Sequence, residues 1–522
     1  MTPDSDDGIE QRYALETCIG RGAFGEVFRG RDRETGQAVA VKRMLQPVAE
    51  TLIAERFDRE ARLLLRVDSP YVVRCLAYGH DREGRPCLVL EWLEGVDLAR
   101  QQHDAPLASA AILEAVRQAA LGLDALHDVG IVHRDVKPSN FFLLQGLPVV
   151  RLKLLDLGIA RDRMEAGLTL EGDLIGTPSY MSPEQARGEE HLGPASDVFS
   201  LGVVLYELLS GRRPFVGHDP FAVLAKIVLE DPPRLGSVVQ GVAPALDAVV
   251  ARALAKNPED RFRSARAFAE ALSALPAMEG WTASLRDEMP TAQLRSLSRS
   301  VSMERRVITA IFAGFSRAIA ADESMTTFEG IVARHGGTSH RTLGRRMVAV
   351  FGVARSTGDE PVRAARAALA TREQLPAVRL AIATGRAMSG TAGLSGDAID
   401  RGVREVERAG RDVHLDDATA RLLGADFAVE GEGIAPVLVA ERASSNEAPP
   451  RLLGRETPLV GRDRELELID DTFARVESER RAAAVVLTGV PGIGKSRLRF
   501  EVLARLHRDH PTARTWVVRG DP

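Results

Sequence analysis

Ten residues, Ile131–Asn140 (IVHRDVKPSN), limit what this chain can be more than any other stretch does. Asp135 and Asn140 stand five apart, with Lys137 between them and Arg134 just before. A carboxylate in such a loop can take the proton of an attacking hydroxyl. The lysine can neutralise charge on a moving phosphoryl group, and the carboxamide can hold a metal ion. The other reading of the string is a polar turn after a helix, favoured by Pro138 and Asn140.

The residues upstream bear on that choice. Gly20, Gly22 and Gly25 lie between two expected strands, where glycine lets backbone amides close over phosphates without side-chain obstruction. A helix after the glycines would suggest a dinucleotide fold, but here a strand follows. Val39-Ala40-Val41-Lys42 comes next. The chain has six lysines against 62 arginines, so a lysine flags chemistry that arginine cannot do. Lys42, Lys137 and Lys495 all fall in candidate phosphate contacts. Glu60, in the helical pattern Leu52–Arg66, can reach Lys42 if that helix packs on the same lobe, or is a solvated helix charge. Asp156-Leu157-Gly158 follows the apolar run Leu152–Leu155, which suits a metal-binding carboxylate at a strand end.

Residues 12–100 alternate short apolar runs with turns. Tyr13–Cys18, Glu26–Arg29, Ala38–Arg43 and Cys87–Glu91 read as strands. From Ala108 a helical period takes over, as in Ala108–His127 and Val198–Ser210, until the pattern fades near Ala274. A strand-rich lobe followed by a helical one is an α+β arrangement.

These motifs, in this order, resemble the eukaryotic-like serine/threonine protein kinases of bacteria over residues 12–275. The resemblance implies a bilobal fold and ATP with Mg²⁺ or Mn²⁺. Ile19, Gly20, Gly22, Gly25 and Val27 would cover the nucleotide. Ala40 and the hinge Glu91–Leu93 would frame the adenine, and Lys42 would hold the α- and β-phosphates and pair with Glu60. Asp135 would be the catalytic base, Lys137 the γ-phosphate contact, and Asn140 and Asp156 the metal ligands. Glu184 would pair with Arg261, and Asp197 would anchor the catalytic loop. Lys137 and Thr177 match the serine/threonine pattern. Arg134 would await a phosphate on the segment Asp156–Glu184, where Thr169 is the expected acceptor, or is a plain loop threonine. Leu157 and Ser182 depart from the commoner residues without touching the chemistry.

After an expected linker at 276–304, residues 305–440 form a second block. Arg305–Phe312, Arg346–Phe351 and Val378–Thr384 read as strands and Val362–Gln374 as a helix. The block resembles a class III nucleotide cyclase domain, an α/β, ferredoxin-like fold. The family's two metal-binding aspartates fall on Gly314 and Arg345, its base-selecting lysine on Arg341, its asparagine on Asp400 and its arginine on Arg404. Two-metal catalysis fails without its carboxylates, so the resemblance implies a retained scaffold, able to dimerise the chain but making no cyclic nucleotide. The alternative is an unrelated α/β domain.

A polar linker, 441–458, leads to a third block at 459–522. Val485–Thr488 reads as a buried strand, followed by Gly489-Val-Pro-Gly-Ile-Gly494-Lys495-Ser496, a G-x-x-x-x-G-K-S phosphate loop opening a helix. Lys495 would reach the β- and γ-phosphates and Ser496 the Mg²⁺. With LVGRDREL before it, the block resembles the start of an AAA-type ATPase. A further strand is expected at Thr515–Arg519, and the later strands that carry the Walker B carboxylate are expected beyond Pro522.

The net charge of −5 argues against a general nucleic-acid binder. Three cysteines give no disulfide framework, no apolar run is long enough to span a membrane, and the N-terminus lacks a signal-peptide pattern, so a cytoplasmic protein is expected. The reading that emerges is a kinase acting on serine and threonine hydroxyls of proteins, itself included, in signalling. An ATP-binding scaffold without transfer, or an ATPase switch, are the competing classes.

Overall fold

The structure is a computed structural model. It describes residues 9–21, 25–45, 51–145, 150–156, 178–276, 305–315, 321–353, 358–388, 396–423, 426–431, 436–442, 451–452, 455–456, 459, 461–488, 495–510 and 513–515. Two compact units divide the chain: residues 1–424 with 429–440, and residues 425–428 with 441–522.

The first unit opens with an antiparallel five-stranded sheet of β1 (Tyr13–Arg21), β2 (Gly25–Asp32), β3 (Ala38–Met44), β4 (Cys75–His80) and β5 (Pro86–Glu91) in the order β1-β2-β3-β5-β4. Strand alternation explains its inner face: Val39 and Val41 point inward to meet Tyr13, Cys87 and Val89. Helix α1 (Thr51–Leu64) turns Phe57, Ala61 and Leu64 inward at helical spacing. The strand β4 is absent from the sequence reading. Its run, CLAYGH, is short and opens beside Arg74, so pairing to β5 rather than local pattern makes it a strand.

The second lobe is helical, apart from a three-stranded sheet of β6 (Gly95–Asp97), β7 (Phe141–Leu144) and β8 (Leu152–Leu154). Its helices are α2 (Leu98–Asp104), α3 (Ser109–Asp128), α4 (Pro183–Arg187), α5 (Pro194–Ser210), α6 (Pro220–Leu229), α7 (Leu235–Val238), α8 (Pro244–Ala253) and α9 (Ala265–Ser273). Helix α3 buries Ile112, Ala115, Val116, Ala119, Leu123 and Leu126, one face of a 3.6-residue period. Helix α5 ends at Gly211, whose φ of 68° is the left-handed cap glycine favours.

In the same unit, β9 (Arg305–Gly314), α10 (Ala321–Arg334), β10 (Thr338–Thr342), β11 (Arg346–Phe351), α11 (Glu360–Gln374) and β12 (Arg379–Met388) follow one another. They pair in the order β10-β11-β9-β12, all antiparallel. That is the split β-α-β-β-α-β arrangement of ferredoxin-like folds. Then come α12 (Gly396–Arg408), β13 (Val413–Leu415), α13 (Asp417–Leu423), β14 (Phe427–Glu430) and β15 (Val437–Glu441), with β13 joining β12 in parallel.

The second unit holds a two-residue pair, β16 (Arg451–Leu452) and β17 (Arg455–Glu456), and the helices α14 (Asp463–Glu479) and α15 (Lys495–Asp509). Among the described residues no helix is long and apolar enough to cross a membrane.

Candidate active site

The loop before β7 is held by one buried carboxylate from α5. Asp197 accepts from the main-chain amides of His133 and Arg134 at 2.8 and 2.9 Å, and lies 2.7 Å from His127 Nε2. Burial works against its charge, yet His127, His133 and these amides hold its carboxyl below the ordinary range. The His133 ring meets the Leu155 carbonyl at 3.0 Å, tying the loop to the end of β8. Arg134 is thereby held at φ 62°, a left-handed conformation rare outside glycine.

That grip sets Asp135. Asn140 Nδ2 donates to the Asp135 main-chain oxygen at 2.7 Å and to its Oδ2 at 3.1 Å, while Lys137 Nζ lies 3.0 Å from the same Oδ2. Asn140 is only 4% exposed. The Leu155 amide donates to the Asn140 carbonyl at 2.8 Å, which sets Asp156 beside Asn140. Asp156, also at positive φ, 53°, takes an ion pair from Lys42 of β3. Crowding by protein atoms works against its charge, although about half of the side chain is open to solvent, but Lys42, with His133 and Lys137 farther off, holds its carboxyl low. The sequence thus brings Lys42, Asp135, Lys137, Asn140 and Asp156 into one cluster between the lobes. Glu60 is half-buried on α1.

The residues expected to face a nucleotide lie on the five-stranded sheet and just beyond it. Ile19 and Gly20 end β1, and Gly25 and Val27 open β2. Gly25 is required there, because a Cβ would sit 2.5 Å from the Arg43 carbonyl oxygen. Ala40 pairs with Leu90, and Glu91, at the end of β5, is fixed by Lys153 at 2.5 Å and by the Arg74 amide at 2.8 Å. Leu93 is half-buried just beyond. Gly22, Thr169 and Thr177 lie outside the described residues.

Below the cluster, Arg261 makes a two-pronged pair with Glu184 at 2.7 and 2.8 Å. Ser196 adds a hydroxyl bond to the same carboxylate at 2.5 Å. Gln185, unremarked in the sequence, completes a capping box with Ser182 and donates its side-chain amide to the Arg134 carbonyl at 2.9 Å. The signal was present as Ser182-Pro-Glu-Gln185, a capping pattern at the mouth of a helix.

The two positions assigned in the middle domain to lost metal ligands do meet. Gly314 ends β9 opposite Arg346, and the Phe315 amide donates to the Arg345 carbonyl at 3.0 Å. A Cβ on Gly314 would stand 3.4 Å from the Arg379 guanidinium. Arg341 is turned away to Glu329, at 2.7 Å.

In the second unit one expectation needs correcting. Val485–Thr488 forms no strand and is not buried: Val486 is 79% exposed. A strand needs a hydrogen-bonded neighbour, and the described residues from 451 on supply only the pair β16–β17, joined to each other. The helix expected after the phosphate loop is present, with Lys495 at its first position. Gly489 and Gly494 lie outside the described residues, as do the side chain of Ser496 and the expected strand from residue 516 on.

Residues 13–272 match the family described as protein kinase domain, and residues 458–522 match that described as AAA ATPase domain. Serine/threonine-protein kinase PknB of Mycolicibacterium smegmatis is 39% identical over 264 residues, 49% of this chain and 42% of that protein. Serine/threonine-protein kinase PknL of Mycobacterium tuberculosis is 36% identical over 270 residues, 51% of this chain and 66% of that protein. The chain therefore spans less than half the length of the PknB relative. A crystal structure of the Mycobacterium tuberculosis PknI kinase domain is 28% identical, covering 50% of this chain and 95% of that one, with a TM-score of 0.40. Over residues 13–272 the chain carries a protein kinase domain, and the relatives named for that half are serine/threonine-protein kinases.

Proposed function

We propose that this chain transfers the γ-phosphoryl group of ATP to serine and threonine hydroxyls of proteins, its own included, in bacterial signalling. One observation carries the reading. A single carboxylate oxygen, Asp135 Oδ2, is held between a carboxamide at 3.1 Å and an ammonium at 3.0 Å, on a loop whose backbone Asp197 fixes. In the transfer the acceptor oxygen bonds to Pγ as the bond from Pγ to the bridging oxygen breaks. The acceptor proton goes to Asp135, and Lys137 lies where charge on the moving group needs a cation. Lys42 gives a second cation for the α- and β-phosphates.

Asn140 and Asp156 present oxygen donors to a cation, the hard set that suits Mg²⁺ or Mn²⁺. A divalent ion held there would neutralise the β- and γ-phosphates. The pairing of Lys42 with Glu60, and of Arg134 with a phosphate on Thr169, belong to the same proposal.

The test is incorporation of labelled phosphate by the full chain with Mg²⁺ or Mn²⁺. Asp135→Asn and Lys42→Met should each lower it by on the order of 100-fold or more. A wild type that binds ATP and incorporates nothing would turn the reading to a non-catalytic scaffold.

The middle domain we read as a cyclase-like scaffold whose metal positions are lost, on the strength of the Gly314–Arg345 juxtaposition. The last block we read as a nucleotide-binding phosphate loop, supported by its family match and by Lys495 at the helix start. Phosphate release by an Asp135→Asn chain, abolished by Lys495→Ala, would show instead that this block hydrolyses ATP.

A further inference from the structure

Helix α6 is apolar all round. Its sequence is PFAVLAKIVL, and every residue from Phe221 to Leu229 is buried, Lys226 included. A helix with no polar face must be covered on all sides. The kinase lobe covers one side. The other is covered by the middle domain, whose Phe312, Leu343, Ile399 and Val403 join the apolar core of the helical lobe without a break. Phe221 meets Phe312 edge-on at 6.3 Å, and the Arg346 guanidinium lies 4.7 Å from the Phe221 ring centre.

Polar contacts fix the register of this seam. Lys226 Nζ lies 2.6 Å from Asp400 Oδ2, and His218 Nδ1 lies 3.5 Å from Asp400 Oδ1. Glu230, just past α6, accepts from the Gly396 amide at the start of α12. The approach is so close that a Cβ on Gly396 would sit 2.6 Å from the Glu230 carboxylate. At the far end the Leu343 amide donates to the Ala186 carbonyl of α4 at 3.0 Å. Ala186 is the neighbour of Gln185, which holds the carbonyl of Arg134, the residue before Asp135.

We propose that the middle domain is a regulatory partner of the kinase within the same chain: it seals α6 and, through Leu343, Ala186 and Gln185, steadies the catalytic loop. The occupant of the α6 face is the chain's own middle block, through β9, Leu343 after β10, and α12. The loop half of this inference rests on the kinase reading above; the seam does not. An effector that binds the middle domain and loosens the seam then lowers kinase turnover, because the two events share one coupling free energy.

The experiment uses the full chain. Asp400→Lys sets like charges together at Lys226, and Gly396→Ala drives a methyl into Glu230; neither alters the kinase domain. Hydrogen exchange at the amides of α6 and of Leu343 should accelerate at least about tenfold in both variants, and kcat should fall about tenfold with the KM for ATP held. Lys226→Glu combined with Asp400→Lys should recover most of both losses, which separates an opened seam from a misfolded domain. Unchanged exchange in both single variants overturns the seam. Faster exchange with unchanged kcat overturns the coupling. Sedimentation showing that α6 is covered only in a dimer, and exposed on dilution, overturns the assignment to one chain. A wild type without kinase activity defeats the kinase reading, while the exchange data still decide the seam.

Discussion

Gln185 and Arg134 are joined by a side-chain amide to main-chain carbonyl bond of 2.9 Å, across the gap between the helix carrying Glu184 and the loop carrying Asp135. Arg134 sits at φ 62°, so its carbonyl direction is one the backbone would not keep unaided. Gln185→Glu retains an acceptor for the Ser182 amide, which Gln185 Oε1 now receives at 3.0 Å, but sets a carboxylate against the Arg134 carbonyl. Losing a part-buried bond and gaining a repulsion should cost ~1.5–3 kcal/mol, which is tenfold or more in kcat if it falls on the transition state. Gln185→Leu, which loses the cap as well, should lower thermal stability more than Gln185→Glu does. Steady-state kinetics and melting curves check both halves. Equal kcat in wild type and Gln185→Glu would remove the positioning role.

The Glu184–Arg261 pair is buried on both sides, with Arg261 1% and Glu184 4% exposed. Removing one partner strands the other charge. Arg261→Met should therefore destabilise the chain by roughly 3–5 kcal/mol, and Glu184→Leu with Arg261→Met should recover much of that. Burial favours the neutral Glu184 carboxyl, but Arg261 outweighs it and holds the folded carboxyl below its ordinary 4.5. A carboxyl lowered by folding stabilises fully above its unfolded value and loses that contribution as pH falls through the folded one. The stability gap between wild type and Glu184→Gln should thus be flat above pH 4.5 and close below it.

Much of the candidate site was legible because its parts are local. The run His133–Asn140 carries the loop, the candidate base and a candidate metal ligand within a few residues, and Lys42 stands out as a rare lysine closing the run Val39–Lys42. What stayed hidden depends on contacts made at long range. Gln185 reads as an ordinary cap until Arg134 is seen against it. The strand β4 exists because β5 lies beside it, and Val485–Thr488 has a strand's pattern without a partner. The rare lysines mark more than candidate phosphate contacts. Besides the phosphate-contact candidates, Lys153 fixes Glu91, Lys226 locks the seam, and Lys256 reaches the Ile227 carbonyl at 2.6 Å to close α6. A compact ammonium fits these narrow carbonyl and carboxylate sites, whereas a planar guanidinium does not.

Lys256 gives a prediction of the same sign as Glu184, in a higher pH window. Its ammonium lies 4.1 Å from the Phe215 ring centre, and loss of hydration pushes it from 10.5 down to about 7. Between those values the unfolded chain binds a proton that the folded chain resists, so this group makes stability rise with pH from about 7 to 10.5 and leaves it level below. Lys256→Met should abolish that rise. Melting temperatures of the two proteins, taken across this range, should converge or cross as pH increases. Parallel curves would show that Lys256 keeps an ordinary proton affinity.

The last prediction concerns Gly314 and Arg345, the positions read as lost metal ligands. The Arg379 guanidinium lies 3.4 Å from where a Gly314 side chain would begin, and Arg346 stands opposite Gly314 on the neighbouring strand. Burial lowers Arg346, partly offset by Asp219 and Glu407 and reinforced by Arg379. A unit charge a few ångströms from another of like sign costs roughly 4 kcal/mol at an effective dielectric near 20. Wild type should therefore bind no metal at this site and release neither cyclic AMP nor cyclic GMP. Gly314→Asp alone should form an ion pair with Arg379 and bind no Mn²⁺. Gly314→Asp with Arg345→Asp still leaves one carboxylate neutralised, so Mn²⁺ binding should emerge only when Arg379→Ser is added. Calorimetric titration of the three variants, made on an Asp135→Asn, Asp156→Asn background to silence the kinase site, checks the order. Mn²⁺ binding by Gly314→Asp alone, or cyclic nucleotide from wild type, would show that the metal positions lie elsewhere in this sheet.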